Sequence, residues 1–375
     1  MAKTSKPAKA TAKMPPKVDW TGKKRVGLAL QGGGAHGAFT WGVLDAILED
    51  GRLDIEAISG TSAGAMNAVV LAEGFLEGGR EGAREALARF WQSVSEEGGL
   101  SPVPRKLFDA FFGEFLNGEA SPLLWWSDLL THYASPYEFN PLNLNPLRDH
   151  LDKAVDFEKV RACEAIKIFI AATNVHTGKI AVFERHELTA DHVMASACLP
   201  TLFQAVEIGG VPHWDGGYMG NPALYPMFYS NASDDLILVQ VNPIERKATP
   251  KTAREIQNRL NEITFNATLL REFRAVDFVS RLIADGKLSK KDYKDVFMHR
   301  IDGAEALARF SAASKSNTSW DFLTGLRDIG RAAGKAWLKE NYDAIGKRAT
   351  LNLSEEIAGT PPPAAAARAG VTGKK

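Results

Sequence analysis

Residues able to carry chemistry come early in this 375-residue chain. Gly60-Thr61-Ser62-Ala63-Gly64 has the form G-x-S-x-G. A serine on a tight strand-to-helix turn has its Oγ thrust clear of the backbone. Its neighbours must be small because strand and helix crowd the turn. The N-terminus of the helix that follows favours negative charge developing beside the serine. A glycine-rich turn with an incidental serine has the same letters. The context favours a nucleophile: residues 53–58 form an apolar strand, and Met66, Val69, Val70 and Ala72 mark a helix after the motif.

A second glycine cluster, Gln31-Gly32-Gly33-Gly34-Ala35-His36-Gly37, follows an apolar strand at 25–30. It also fits G-x-G-x-x-G, a dinucleotide-binding pattern. That reading needs an acidic residue at the end of the second strand. Here Ser59-Gly60-Thr61-Ser62 stands there, and Asp54 and Glu56 lie earlier, inside the strand. Successive glycines suit backbone N–H groups aimed at a tetrahedral oxyanion. With a serine turn downstream, the oxyanion reading is preferred. A third cluster, Asp215-Gly216-Gly217, follows a hairpin signal at 207–211 and by itself reads as a β-turn.

Taken together, Gly32-Gly33-Gly34-Ala35-His36-Gly37, Gly60-Thr61-Ser62-Ala63-Gly64 and Asp215-Gly216-Gly217 resemble the patatin-like phospholipases in motif and order. Residues 195–200, Ala-Ser-Ala-Cys-Leu-Pro, resemble the family's segment before the aspartate, and the likeness spans about 25–241. The resemblance implies a Ser-Asp dyad without histidine. Ser62 falls on the nucleophile, Asp215 on the base, and the N–H groups of Gly33 and Gly34 on the oxyanion hole. Many members carry Arg or Lys where this chain has His36, a departure that affects side-chain help but not the backbone donors. An aspartate of ordinary pKa, about 3.9, is a poor base for a hydroxyl. A dry site with a positioned hydrogen bond raises its basicity. A Ser-His-Asp triad is the rival, and in hydrolase order only His299 lies beyond Asp215. Phe297 and Ile301 share its strand face, so His299 reads as a core or edge histidine.

The elements that must hold these residues alternate. Strand, glycine loop and helix occur twice within about fifty residues, which argues for an α/β fold with a largely parallel sheet. In the first helix Phe39, Val43, Leu44 and Ile47 share a face. Further strands are expected at 166–172, 179–183, 236–241 and 296–301, with a helix at 190–198. Beyond Thr252 the pattern is helical: Ile256, Leu260, Ile263, Ala267 and Leu270 keep one apolar stripe. Thr318-Ser319-Trp320-Asp321 resembles a capping box that opens a helix with Phe322, Leu326, Ile329 and Trp337 inward.

The expected organisation is a basic tail at 1–24, a patatin-like catalytic domain at 25–245, a helical C-terminal extension at 252–346 and a second tail at 360–375. The first tail carries seven lysines and one aspartate. It reads as a solvated arm or as a polybasic contact with an anionic membrane or polymer-granule surface. Residues 108–145, with Phe108, Phe111, Phe112 and Phe115 on one helical face, then Trp125, Trp126 and Pro141-Leu142-Asn143, read as core packing or as a cap or acyl-chain entrance that touches lipid. Lys plus Arg equals Asp plus Glu, at 45 each, so no nucleic-acid partner is expected. Two cysteines in apolar segments, Cys163 and Cys198, favour a reducing compartment. No apolar run reaches the ~18 residues of a membrane span and no secretory h-region is seen, so a cytoplasmic location is expected. No His, Cys and carboxylate cluster has ligand spacing, so hydrolysis without metal or cofactor is expected.

The expected fold is an α/β sandwich with a central, mainly parallel sheet and a mostly helical C-terminal extension. The expected function is serine-dependent cleavage of carboxylic esters in lipid. The alternatives are the same chemistry on another ester, such as an intracellular hydroxyalkanoate polyester, and a non-enzymatic interaction protein on a hydrolase fold. Intact Ser62, Asp215 and glycine loops speak against the last.

Overall fold

The computed structural model describes residues 23–97, 135–246, 248–303, 306–307, 310, 314–315 and 317–358. The basic segment through residue 22, residues 108–134 of the aromatic-rich stretch and the tail from 360 lie outside the described residues, while in the remainder of that stretch Leu142 and Leu144 are exposed. Lys24, expected as the end of the tail, opens the first strand and donates to the Tyr342 carbonyl at 2.7 Å.

Strands β1 (Lys24–Leu30), β2 (Leu53–Gly60), β3 (Lys167–Asn174), β4 (Ile180–Glu184), β5 (Val206–Ile208), β6 (Val211–Asp215), β7 (Asp235–Gln240) and β8 (Phe297–Asp302) form one eight-stranded sheet. Its order is β5-β6-β3-β2-β1-β7-β8, with β4 paired to β3. The run from β3 through β8 is parallel, whereas β4, β5 and β6 pair antiparallel. Val26, Leu28, Ala29 and Leu30 of central β1 are fully buried. Helices cover both faces of such a strand, which explains its continuous apolar run.

The helices are α1 (Gly37–Asp50), α2 (Ala63–Glu97), α3 (Pro136–Phe139), α4 (Pro146–Ala154), α5 (Phe157–Ala162), α6 (Ala190–Ser196), α7 (Tyr225–Ser230), α8 (Ala253–Ala284), α9 (Trp320–Asn341) and α10 (Leu353–Ala358). Helix α1 is buried nearly all round rather than on one face, because it packs against both α2 and α9. Asp45 and Glu49 at its far end bind Arg84 of α2 and Arg331 of α9. The C-terminal region thus supplies a helix over α1 and also strand β8.

Two expectations for the late helices change. In α8 the core face is Leu269, Phe273, Val276 and Ile283, while Ile256 is 44% and Leu260 and Ile263 are each 51% exposed. The inward side of that first half is polar instead, with Glu262 and Asn266 buried. Residues 318–321 do not form the expected box: Ser319 is the N-cap of α9 but makes no side-chain capping bond. Thr252 and Glu255 do form one at the start of α8.

Strand β3 aligns the catalytic candidates. β4 occupies one of its edges along residues 169–173. On the other edge β2 pairs with residues 167–170, ending Gly60 opposite Ile170. β6 then takes over that edge at 172–174, with Asp215 opposite Ala172. The end of the serine strand and the aspartate therefore lie two β3 residues apart, roughly 7 Å.

Candidate active site

Ser62 stands between β2 and α2 with φ 53, in the left-handed region that a serine rarely adopts. Holding it there costs on the order of 1–3 kcal/mol and needs fixed surroundings. They are present: the Ser62 N–H donates to Ser196 Oγ at 2.9 Å and the Thr61 N–H to the Leu30 carbonyl at 3.3 Å. Thr61 Oγ1 donates to the Gly220 carbonyl at 2.6 Å. The last bond ties the serine turn to the loop after Asp215.

Asp215 ends β6 and is buried. Its carboxylate accepts from the Gly217 N–H at 2.7 Å and lies near enough to the Ser62 side chain to feel it electrostatically. Its own N–H donates to the Cys198 carbonyl, and Thr173 Oγ1 donates to its carbonyl. Burial pushes its pKa up to about 7, against the pull of the Gly217 and Ser62 donors. The same dry, negative surroundings push Cys198 and Tyr218 up to about 12, burial first and Asp215 second. Phe265 of α8 closes over Gly217 and meets the Tyr218 ring edge-on at 5.4 Å.

The first glycine loop lies against the serine: a Cβ on Gly32 would sit 2.8 Å from Ser62 Cβ. The Gly32 N–H is occupied, donating to Asn221 Oδ1 at 2.7 Å. Among the described residues the N–H groups of Gly33 and Gly34 make no hydrogen bond. Gly34 needs to be glycine twice over, with φ +58 and the Lys315 carbonyl 2.5 Å from where a Cβ would stand. Gly37, the last glycine of the loop, opens α1.

Behind this loop the Gln31 carboxamide bridges the Asn221 carbonyl, Asn266 Oδ1 and the N–H groups of Val241 and Asn242. His36 carries no charge near neutrality. Burial, then Lys315 and Arg246, pulls its pKa down to about 4. Its Nε2 meets Ser314 Oγ at 2.7 Å, and its ring lies against Phe310 and Phe322.

The sequence-read residues Gly32, Gly33, Gly34, Gly60, Thr61, Ser62, Ala63, Gly64, Asp215, Gly216 and Gly217 thus converge at the C-terminal end of the parallel strands. His299 does not join them. It is wholly buried on β8, with Thr350 at 2.9 Å and Asp235 at 3.0 Å on its two ring nitrogens. Three strand spacings, about 14 Å, separate β8 from β2. Ser196, Asn221, Asn242, Asn266 and Lys315 were not singled out from the sequence. The signal available for Ser196 and Asn221 was position, just before and just after the aspartate segment. Asn266 and Lys315 offered none.

The sequence profile of the patatin-like phospholipase family matches residues 28–228. No curated protein matches the chain significantly. Among solved structures the chain is similar to VipD from Legionella pneumophila, at 16% identity over 85% of this chain and 67% of that one, with a TM-score of 0.39. It is also similar to ExoU of the Pseudomonas aeruginosa type III secretion system, solved in complex with SpcU. There the identity is 15% over 85% of this chain, with a TM-score of 0.33. The chain spans 53% of the ExoU chain's length.

Proposed function

The chain belongs to the patatin-like phospholipase family, and from that premise we propose that it is a lipid acyl hydrolase working through a dyad of Ser62 and Asp215. The observation that carries this reading is the buried Asp215 carboxylate, raised to a pKa of about 7 and influenced by the Ser62 side chain, with that serine held at φ 53 on the strand-to-helix turn. Ser62 Oγ attacks the acyl carbonyl carbon as its proton passes to Asp215. The N–H groups of Gly33 and Gly34 bind the oxyanion that forms. Collapse expels the alcohol, which takes the proton from Asp215, and leaves an acyl-Ser62 ester. Water, deprotonated by Asp215, attacks that ester; as the acyl–Oγ bond breaks Asp215 returns the proton to Ser62 Oγ, and the acid departs. A base with pKa about 7 is well matched to proton transfer near neutral pH.

A fluorophosphonate tests the nucleophile. The wild-type protein should be labelled on Ser62, and Ser62→Ala should lose both labelling and ester hydrolysis. A folded Ser62→Ala protein that turns over ester at the wild-type rate sinks the assignment. Turnover of phospholipid vesicles, a short-chain ester and hydroxyalkanoate granules, measured side by side, separates the lipid reading from the polyester one.

A further inference from the structure

The peptide unit joining Gly32 to Gly33 is gripped from outside the family-matched region. Asn242 Nδ2 donates to the Gly32 carbonyl at 2.6 Å. Asn242 Oδ1 in turn accepts from the Lys315 ammonium at 2.7 Å. The orientation of the Asn242 amide is unambiguous, because a carbonyl only accepts and an ammonium only donates. The Gly32 carbonyl shares one peptide group with the Gly33 N–H. The chain therefore runs from ammonium, through the Asn242 amide and the Gly32–Gly33 peptide, to the N–H read above as an oxyanion donor.

We infer that Lys315 is a positioning residue that strengthens the oxyanion hole, its charge polarising the Gly33 N–H through Asn242. The inference rests on the reading of Gly33 as an oxyanion donor. Hydrogen bonds in series reinforce one another in a low-dielectric interior. A donor polarised in this way gains most when full negative charge develops on the bound oxygen, so the effect falls on the transition state rather than on substrate binding. Among the described residues Lys315 forms no direct ion pair. The neighbouring Glu262 carboxylate is taken by Arg246 at 2.7 Å and Arg259 at 3.0 Å. The Lys315 Nζ is thus directed at Asn242; burial and Arg246 pull its pKa down, and the neighbouring Glu262 carboxylate works the other way to hold the proton.

The test measures hydrolysis of a short-chain p-nitrophenyl ester by the full chain. Lys315→Met and Lys315→Gln should each lower kcat about tenfold, less than the loss of a whole oxyanion donor, with KM within about twofold. Lys315→Arg, which keeps the charge, should retain most of kcat. Lys315→Gln keeps a donor for Asn242 and serves if the methionine variant fails to fold. Asn242→Ala breaks the chain, so Lys315→Met in that background should cost nothing further. A folded Lys315→Gln protein with wild-type kcat overturns the inference, as does a double variant in which the two losses multiply. If Ser62→Ala keeps its turnover, it is the underlying dyad reading that fails.

Discussion

Replacing Asp215 with asparagine should make the protein more stable at alkaline pH while removing most of its activity. The carboxyl is buried and its pKa lies at about 7, against an ordinary 3.8. A carboxyl raised on folding gives stability that is fully present below the ordinary value. That stability is lost as pH rises from the ordinary value through the folded one, because the unfolded carboxyl ionises freely there while burial makes the native one keep its proton. With these two values, its contribution falls by about 2–3 kcal/mol between pH 5 and pH 8. The asparagine side chain cannot ionise, so the variant escapes this loss.

Glu272 is also raised to about 7, burial outweighing its bonds to the Leu224 and Tyr225 N–H groups, and contributes a similar slope to both proteins. The wild-type minus variant difference isolates Asp215. Urea melts from pH 5 to 8 should show that difference tilting by about 2–3 kcal/mol in the variant's favour. Ester turnover should rise through about pH 7 in the wild type and be lower by on the order of 10² to 10⁴ in the variant. Parallel stability curves for the two proteins would refute the buried, near-neutral carboxyl.

Two further substitutions separate structure from chemistry. His299→Gln should lower stability by on the order of 1–3 kcal/mol, since Asp235 and Thr350 lose well-placed partners in a buried site. Ester turnover by that variant should stay within a few-fold of wild type; collapse in a protein folded by circular dichroism would favour a triad. Gly34→Ala should cost about 1–2 kcal/mol for its left-handed φ alone and more for the Lys315 carbonyl in its way. Thermal melts and turnover should both fall, and an unaffected variant would contradict the contact between the glycine loop and residue 315.

Local signals in the sequence determined much of this. The strand–loop–helix units around Gly32-Gly33-Gly34 and Ser62 were legible because apolar period, glycine and the residue after a strand are properties of neighbours in the chain. The runs that became β1, β2, β3, β7 and β8 were legible for the same reason, to within a residue or two at their ends. Tertiary structure alone decided the rest. That β6 succeeds β2 on one edge of β3, and so brings Asp215 to Ser62, depends on register, which no short window carries. Ile256, Leu260 and Ile263 have helical period yet face outward. The opposite side of α8 faces the interior and carries polar groups with partners there, Asn266 bonding Gln31 beside the glycine loop and Glu262 pairing with Arg246. The Gly32 peptide is fixed from positions 189 and 210 residues away, by Asn221 and Asn242. Lys315 reaches Asn242 across a further 73. A polar side chain that satisfies one distant backbone group has no period and no motif, so its role exists only once the chain has folded around it.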